Sequence, residues 1–257
     1  AILQCVNGLL QPPRLAGSYL VLETTNRCSL ACQHCSVAEV GHPHHAENGF
    51  LDPSLARGVF DDLARVGASF DTLILFWLGE PLIHPAFGEI YQDAVRAASD
   101  SGIFSKVELH TNATHLDERA VQVALNDARV PQVWHLSLDA VRKDTYRTIK
   151  AMDRYEAVAE NVERFVLEKG RLGARWPRLV FQIIVSKDNA AEVPEFAAHW
   201  KEVCHRAGIP CVVEAQNVPD GEEAVVFLRQ LDCPTPTEQA AQNRVFRETA
   251  ESLGLSL

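Results

Sequence analysis

The sequence has no apolar run that approaches the ~20 residues needed to cross a bilayer as a helix. It also has no secretion leader with a basic start and an apolar middle. Positive charge is in short supply, with 24 Lys and Arg against 34 Asp and Glu and a net charge of −10. That balance disfavours a nucleic-acid backbone or an anionic membrane as the main partner. Methionine is nearly missing, Met152 standing alone, and the chain opens on Ala1, so we expect a trimmed piece of a longer protein. Cysteine is not scarce. Seven of them, an odd number with three clustered, do not make a disulfide framework. They fit a reducing compartment and metal binding, and the expected location is the cytoplasm.

Hydrophobic patterning alternates between two periods along the chain. Apolar runs at 19–23, 72–78, 107–111, 133–138, 179–185 and 211–215 read as strands. The second is almost wholly apolar, as a strand buried on both faces of a parallel sheet would be. Between them lie helical patterns. Asp52 caps one that opens on Pro53, carries Leu55, Val59, Phe60 and Leu63 on one face, and stops near Gly67. Others are expected over 85–98, 117–127, 142–150, 155–169 and 193–207. The alternation implies right-handed βαβ units and a parallel sheet. Six units are too few to close an eight-stranded barrel. The expected fold is therefore α/β, an open partial (β/α)6 TIM-like barrel over residues 19–216. Residues 1–18 read as a lead-in, and 217–257 as a short C-terminal extension ending in a helix over 237–253.

The chemistry concentrates in Cys28-Ser29-Leu30-Ala31-Cys32-Gln33-His34-Cys35, directly after the first strand. The spacing is C-x3-C-x2-C, unlike the paired C-x2-C knuckles of structural zinc sites. Three soft thiolates leave one coordination position open, which suits an iron–sulfur cluster with one iron free to bind a further ligand. Buried or disulfide-bonded thiols, or a three-thiolate zinc site completed by His34, are the competing readings. The nearby His42, His44 and His45 read as a solvated loop more than as a metal tract.

This loop resembles the signature of the radical S-adenosylmethionine (SAM) enzymes, with His34 in the place often held by an aromatic residue. The resemblance covers about residues 19–216 and implies the same curved, six-stranded core. It implies a 4Fe-4S cluster on Cys28, Cys32 and Cys35, with SAM on the fourth iron. Leu78-Gly79-Glu80-Pro81 is similar to the family's Gly-Gly-Glu-Pro segment, with Leu78 in place of the first glycine. Gly79, Glu80 and Pro81 are accordingly expected near the SAM amino group. Thr111 and Asn112, in His110-Thr111-Asn112-Ala113, are similar to a Thr-Asn-Gly segment beside bound SAM. Ser137 and Asp139, at the end of the fourth strand, resemble a Ser-x-Asp pair that contacts ribose and carboxylate. A helix N-cap is the competing role for Asp139. Gln182 is expected to face inward near the adenine. Arg142, Lys143 and Arg147 read as a solvated helix face, and neither His84 nor His135 is marked as a general base.

The implied mechanism passes one electron from an external donor, flavodoxin or ferredoxin, into SAM. A 5′-deoxyadenosyl radical then takes hydrogen from a small-molecule or peptide substrate. Oxidation or peptide modification is the favoured outcome, since Cys233 stands where an auxiliary-cluster domain would begin. Epimerisation or methylation are the alternatives within the family. A non-enzymatic zinc-binding β/α module is the alternative outside it.

Overall fold

The computed structural model describes residues 18–35 and 49–257. The lead-in before Ser18 and the tract with His42, His44 and His45 lie outside the described residues. The elements run β1 (Tyr19–Val21), α1 (Pro53–Val66), β2 (Phe70–Ile74), α2 (Phe87–Ser101), β3 (Phe104–Thr111), α3 (Glu118–Leu125) and β4 (Gln132–Ser137). They continue with α4 (Lys143–Lys150), α5 (Tyr155–Leu172), β5 (Arg178–Val185), α6 (Val193–Arg206), β6 (Cys211–Ala215), β7 (Ala224–Gln230) and α7 (Pro236–Ser252).

Local chemistry sets the helix ends. Asp52 accepts from the Ser54 amide at 2.7 Å ahead of Pro53, and Gly67 closes α1 at φ 69°. Asp117 accepts from the Ala120 amide at 2.8 Å to start α3. Each such cap is worth about 1 kcal/mol.

All neighbouring strands are parallel, in the order β1-β2-β3-β4-β5-β7-β6. The sheet is open, with β1 and β6 at its edges. One correction follows. Residues 224–230, expected to belong to the C-terminal extension, form β7, which inserts between β5 and β6 as a full member of the sheet. The sheet thus has seven strands and does not stop at residue 216. Only residues 216–223 join β6 to the parallel β7, with no helix between them.

The two faces of the sheet differ in character. On the outer face Leu109, Trp134, Phe181 and Leu228 pack under the helices with Phe60, Tyr91, Phe165 and Trp200. Each fully buried aromatic there contributes roughly 1.5–3 kcal/mol. Polar atoms in this layer are matched: the Trp134 indole donates to the Tyr91 hydroxyl at 2.7 Å, which donates to Gln132 at 2.6 Å.

The inner face carries a smaller, separate apolar cluster of Val133, Val180, Val225 and Phe227, against which Val218 packs. Val218 belongs to the return segment between β6 and β7, so that segment lies against the lower end of the inner face, beside a cavity of about 220 Å³ that His135 also lines. Strand alternation sets Glu108 and His110, His135 and Ser137, Gln182, and Arg229 on this same inner face.

Candidate active site

The cysteine loop leaves β1 at the carboxyl end of the sheet, where parallel β/α folds gather their ligands. Cys28, Cys32 and Cys35 are free thiols. The second half of the loop is held by the Gln33 amide, which donates to Ile149 O at 2.9 Å, and closes on itself in a turn, the Cys35 amide donating to Cys32 O at 3.0 Å. Crowding by protein pushes the Cys28 thiol up to about 11 and raises that of Cys32, so ligation of a metal releases their protons.

The donor set can be tested against the group it would hold. Three thiolates round one zinc, each at about 2.3 Å, would stand roughly 3.8 Å apart. Among the described residues, the metal-ligating trio whose donor atoms all fall within 4.8 Å is Glu108, His110 and His135, not the cysteines. The thiols are spread more widely, as a cradle for a multi-iron cluster requires. Cys32, His34 and Cys35 border a cavity of about 910 Å³ whose far wall includes Ile184, Cys233 and Gln242. The residues fit a 4Fe-4S cluster with room beside it.

Beneath the loop sits Glu80, fully buried. Its Oε1 accepts from the Thr111 hydroxyl at 2.6 Å and the Leu82 amide at 3.0 Å, and its Oε2 from the Asn112 amide at 2.6 Å. Burial raises its pKa, and these donors oppose the rise. Asn112 turns its side-chain amide to Cys28 Sγ at 3.6 Å and Ser29 Oγ at 3.2 Å. Gly79 has a packing reason of its own: a Cβ there would stand 1.9 Å from Thr25 O. The close approach expected there of a ligand is made by the cysteine loop's own backbone. The Leu78 amide donates to Glu23 at 2.9 Å and the Glu80 amide to Arg27 O at 2.7 Å, which fixes the same contact. Pro81 is buried at the head of a short 3-10 turn.

The sequence model of the radical SAM superfamily matches residues 22–171, more than half of the chain, including the cysteine loop, Glu80, Thr111 and Asn112. The chain belongs to the radical SAM superfamily. Its cofactors are accordingly SAM and a 4Fe-4S cluster. A tungsten-containing aldehyde ferredoxin oxidoreductase cofactor-modifying protein of Pyrococcus furiosus is 27% identical over 186 residues, 70% of this chain and 47% of the relative. A GTP 3′,8-cyclase of Hydrogenovibrio crunogenus is 28% identical over 233 residues, 87% of this chain and 61% of the relative. The chain therefore spans less than two thirds of either relative. Among solved structures, Streptococcus suis SuiB bound to S-adenosylmethionine superposes with a TM-score of 0.55 at 14% identity, covering 91% of this chain and 48% of that one. That likeness concerns the fold. No helix among the described residues is long and apolar enough to cross a membrane.

Two expectations at this radical SAM site change. Asp139 does not continue the alternation of β4 to face an open site. It turns out of the strand at φ 62° and is wholly buried. Its Oδ1 accepts from the Ile184 amide at 2.7 Å, and its Oδ2 is ion-paired with Lys150. It is no N-cap either, since α4 starts after Arg142. Ser137 does meet it, 3.4 Å away.

Lys150 is the residue that sequence reasoning missed. Burial works to lower its pKa, but the charges of Asp139 and Cys32 outweigh that and raise it. Burial likewise works to raise Asp139, and Lys150 and His34 hold it down. The available signal was a basic residue closing the helix that follows Ser137-Leu138-Asp139, but Arg142, Lys143 and Arg147 share that helix. Those three make exposed pairs with Glu195, Glu156 and Asp144, as a solvated face would. His84 is structural: its Nδ1 accepts from the Ala86 amide at 3.0 Å and its Nε2 donates to Leu51 O at 2.8 Å.

Lower on the inner face, the ring of Phe76 stacks on His110 at 5.0 Å, and His110 on His135 at 4.1 Å, nearly parallel. Parallel rings aim their in-plane lone pairs past a common point, so the trio with Glu108 reads as a hydrogen-bonded group and not a metal seat. His110 donates to Glu108 at 2.8 Å. Burial works to raise the Glu108 acid, but the His110 bond and the His135 and Lys106 charges hold it at about 2. Burial, helped by His110, takes His135 down to about 3.

Three outcomes follow for this site. Lys150→Met strands the Asp139 carboxylate, and stability falls by about 3–5 kcal/mol; Lys150→Met with Asp139→Asn recovers part of that in urea unfolding. Ala113 holds φ 61° where the similar family segment has glycine. The left-handed conformation costs an L-residue ~1–2 kcal/mol, and glycine gives back ~0.5–1 in entropy. Ala113→Gly therefore gains roughly 0.5–1 kcal/mol net in the same assay. The third concerns pH. His135 has a folded pKa of about 3, below the unfolded value near 6.5, so the unfolded chain binds the extra proton between them. Its contribution is complete above pH 6.5 and is lost as pH falls towards 3. His135→Phe flattens that fall, and urea midpoints at pH 7, 5.5 and 4 read it directly.

Proposed function

We propose that Cys28, Cys32 and Cys35 hold the 4Fe-4S cluster, that the 910 Å³ cavity beside them receives SAM, and that the enzyme acts on a C–H bond of a small molecule or peptide. The observation that carries this reading is that two of the three thiols, Cys32 and Cys35, open into this cavity at the carboxyl ends of the strands. When bound, the cluster and SAM supply a 5′-deoxyadenosyl radical strong enough to take hydrogen from an unreactive carbon. An external one-electron donor, of the flavodoxin or ferredoxin kind, provides the reducing equivalent.

The chain's own residues orient and shelter. Asn112 donates towards Cys28, and a hydrogen bond to a ligating sulfur tunes a cluster's potential. Glu80 holds the Thr111–Asn112 turn in place and keeps one side of Oε2 for the SAM ammonium. Ser137 and Gln182 stand on the inner face for ribose and adenine. Asp139 acts behind them through Lys150 and the Ile184 amide instead of touching the ligand. Val133, Val180, Val225 and Phe227, with Val218 packed against them, give the inner face an apolar part beside these polar groups.

Oxidation or peptide modification remains the favoured fate of the substrate radical. It is supported by Cys233 on the cavity wall, where a thiol could join an auxiliary cluster, and by the fold shared with SuiB, solved bound to its precursor peptide SuiA (TM-score 0.56). A nucleotide cyclisation is the second reading, supported by the alignment with a GTP 3′,8-cyclase over most of this chain.

Anaerobic reconstitution with iron and sulfide, followed by SAM and dithionite, tests the proposal. The expected product is 5′-deoxyadenosine, lost together with iron when Cys28, Cys32 and Cys35 are changed to Ala. A colourless protein that takes up zinc and ignores SAM would sink it.

A further inference from the structure

The inner face of the barrel carries an arginine that the fold does not use. Along β7, Val225, Phe227 and Arg229 alternate onto the inner side, whereas Ala224, Val226 and Leu228 join the outer core. Arg229 stands level with Ile184 on β5, two positions above Phe227 and the apolar floor. Ile184, its neighbour across the sheet, borders the cavity that Cys32, His34 and Cys35 also line, so Arg229 starts on the inner wall between the cysteine loop and the apolar residues below.

It is exposed, and among the described residues no carboxylate comes within ion-pair distance of it. The acid on the neighbouring strand's inner face, Glu214, is level with Phe227, lower in the barrel. Arg57, Arg129, Arg142 and Arg175 find carboxylates, whereas Arg229, exposed on the inner side of β7 next to Ile184, keeps its charge for an anion. A second polar group on the same face is also unmet: His135 Nδ1 is buried with no hydrogen-bond partner.

We infer that Arg229 anchors an anionic group of the substrate, a carboxylate or a phosphate, inside the barrel. The inference rests on the reading of the cavity lined by Ile184, the neighbour of Arg229, as the active site. The chemistry matches the place. A planar guanidinium offers two parallel N–H donors to a carboxylate or phosphate edge, and a low-dielectric surround of Ile184 and Phe227 strengthens that pair. Anchoring an anion from β7 would hold the rest of the substrate towards the cysteine loop, where hydrogen is abstracted. It would also place a donor hydroxyl or amine within reach of the inner face that carries His135.

The test uses the reconstituted holoenzyme with SAM present, titrated calorimetrically at low salt with inorganic pyrophosphate and, separately, with malonate. The expected result is saturable binding of at least one anion, weakened tenfold or more by Arg229→Gln and largely restored by Arg229→Lys. Arg247→Gln, on the exposed face of α7, leaves it unchanged. Preference for pyrophosphate identifies a phosphate ester as the substrate's anionic group, and preference for malonate a carboxylate. Equal affinity in the parent and Arg229→Gln overturns the inference, as does a parent that binds SAM but neither anion. SAM affinity measured on the same samples separates the cases: a parent without iron or SAM binding overturns the radical reading itself.

Discussion

The buried carboxylate of Glu80 is the constraint on which the site depends. One side chain takes three donors, from the turn after its own strand and from the turn after β3. Its amide is bound in turn by Arg27 O, one residue before the first cysteine. Three segments far apart in sequence are thereby locked at one depth in the sheet. The cost of hiding a carboxylate is met by good geometry and full hydrogen bonding, and losing any donor would leave charge unmatched in a dry place. Such a network is strict. It explains why no side chain is tolerated at Gly79, where Thr25 O already occupies the space. It also explains why Asn112 arrives with its amide facing the cysteine loop.

A second buried pair sets the opposite wall. Asp139 and Lys150 lie out of water at the end of β4 and the end of α4, and the backbone beside Lys150 is the carbonyl that receives the Gln33 amide. The ion pair therefore fixes the helix end that pins the cysteine loop. Buried pairs contribute little net stability against an apolar substitute, so specificity of position is the better account of its presence. The charge also matters where it stands. A cation facing Cys32 favours the thiolate that a metal needs.

Much of this was legible in the sequence because the chemistry is local. The cysteine spacing needs no fold to be read, and helix ends such as Asp52-Pro53 and Gly67 carry their own signals. The strand alternation located the sheet, and its open form followed from the count of units. What failed was what depends on return paths. Residues 224–230 have the composition of a strand, Ala-Val-Val-Phe-Leu, yet they follow β6 without the helix that a parallel crossover ordinarily needs. Eight residues suffice here because β6 is short and the segment runs back across the inner face. Asp139 failed for a related reason. Period-two alternation holds only while the strand continues, and a left-handed residue ends it. Lys150 could not be singled out from its neighbours, since burial decides which base of a helix acts and burial is a property of the assembled sheet.

The short return path has a functional consequence. A crossover helix would have packed on the outer face and left the lower barrel empty. The segment 216–223 instead lays Val218 on Val133, Val180, Val225 and Phe227, and its Pro219 and Glu223 carbonyls accept from Arg178 at the foot of β5. A closed eight-stranded barrel fills its centre with aliphatic layers. In this open sheet apolar and polar groups share the inner rows instead: Val180 and Val225 stand level with His135 and His110, Phe227 with Gln182 and Ser137, and Arg229 beside Ile184 above them. The same economy of chain that hid β7 from the sequence reading makes the inner face available for chemistry.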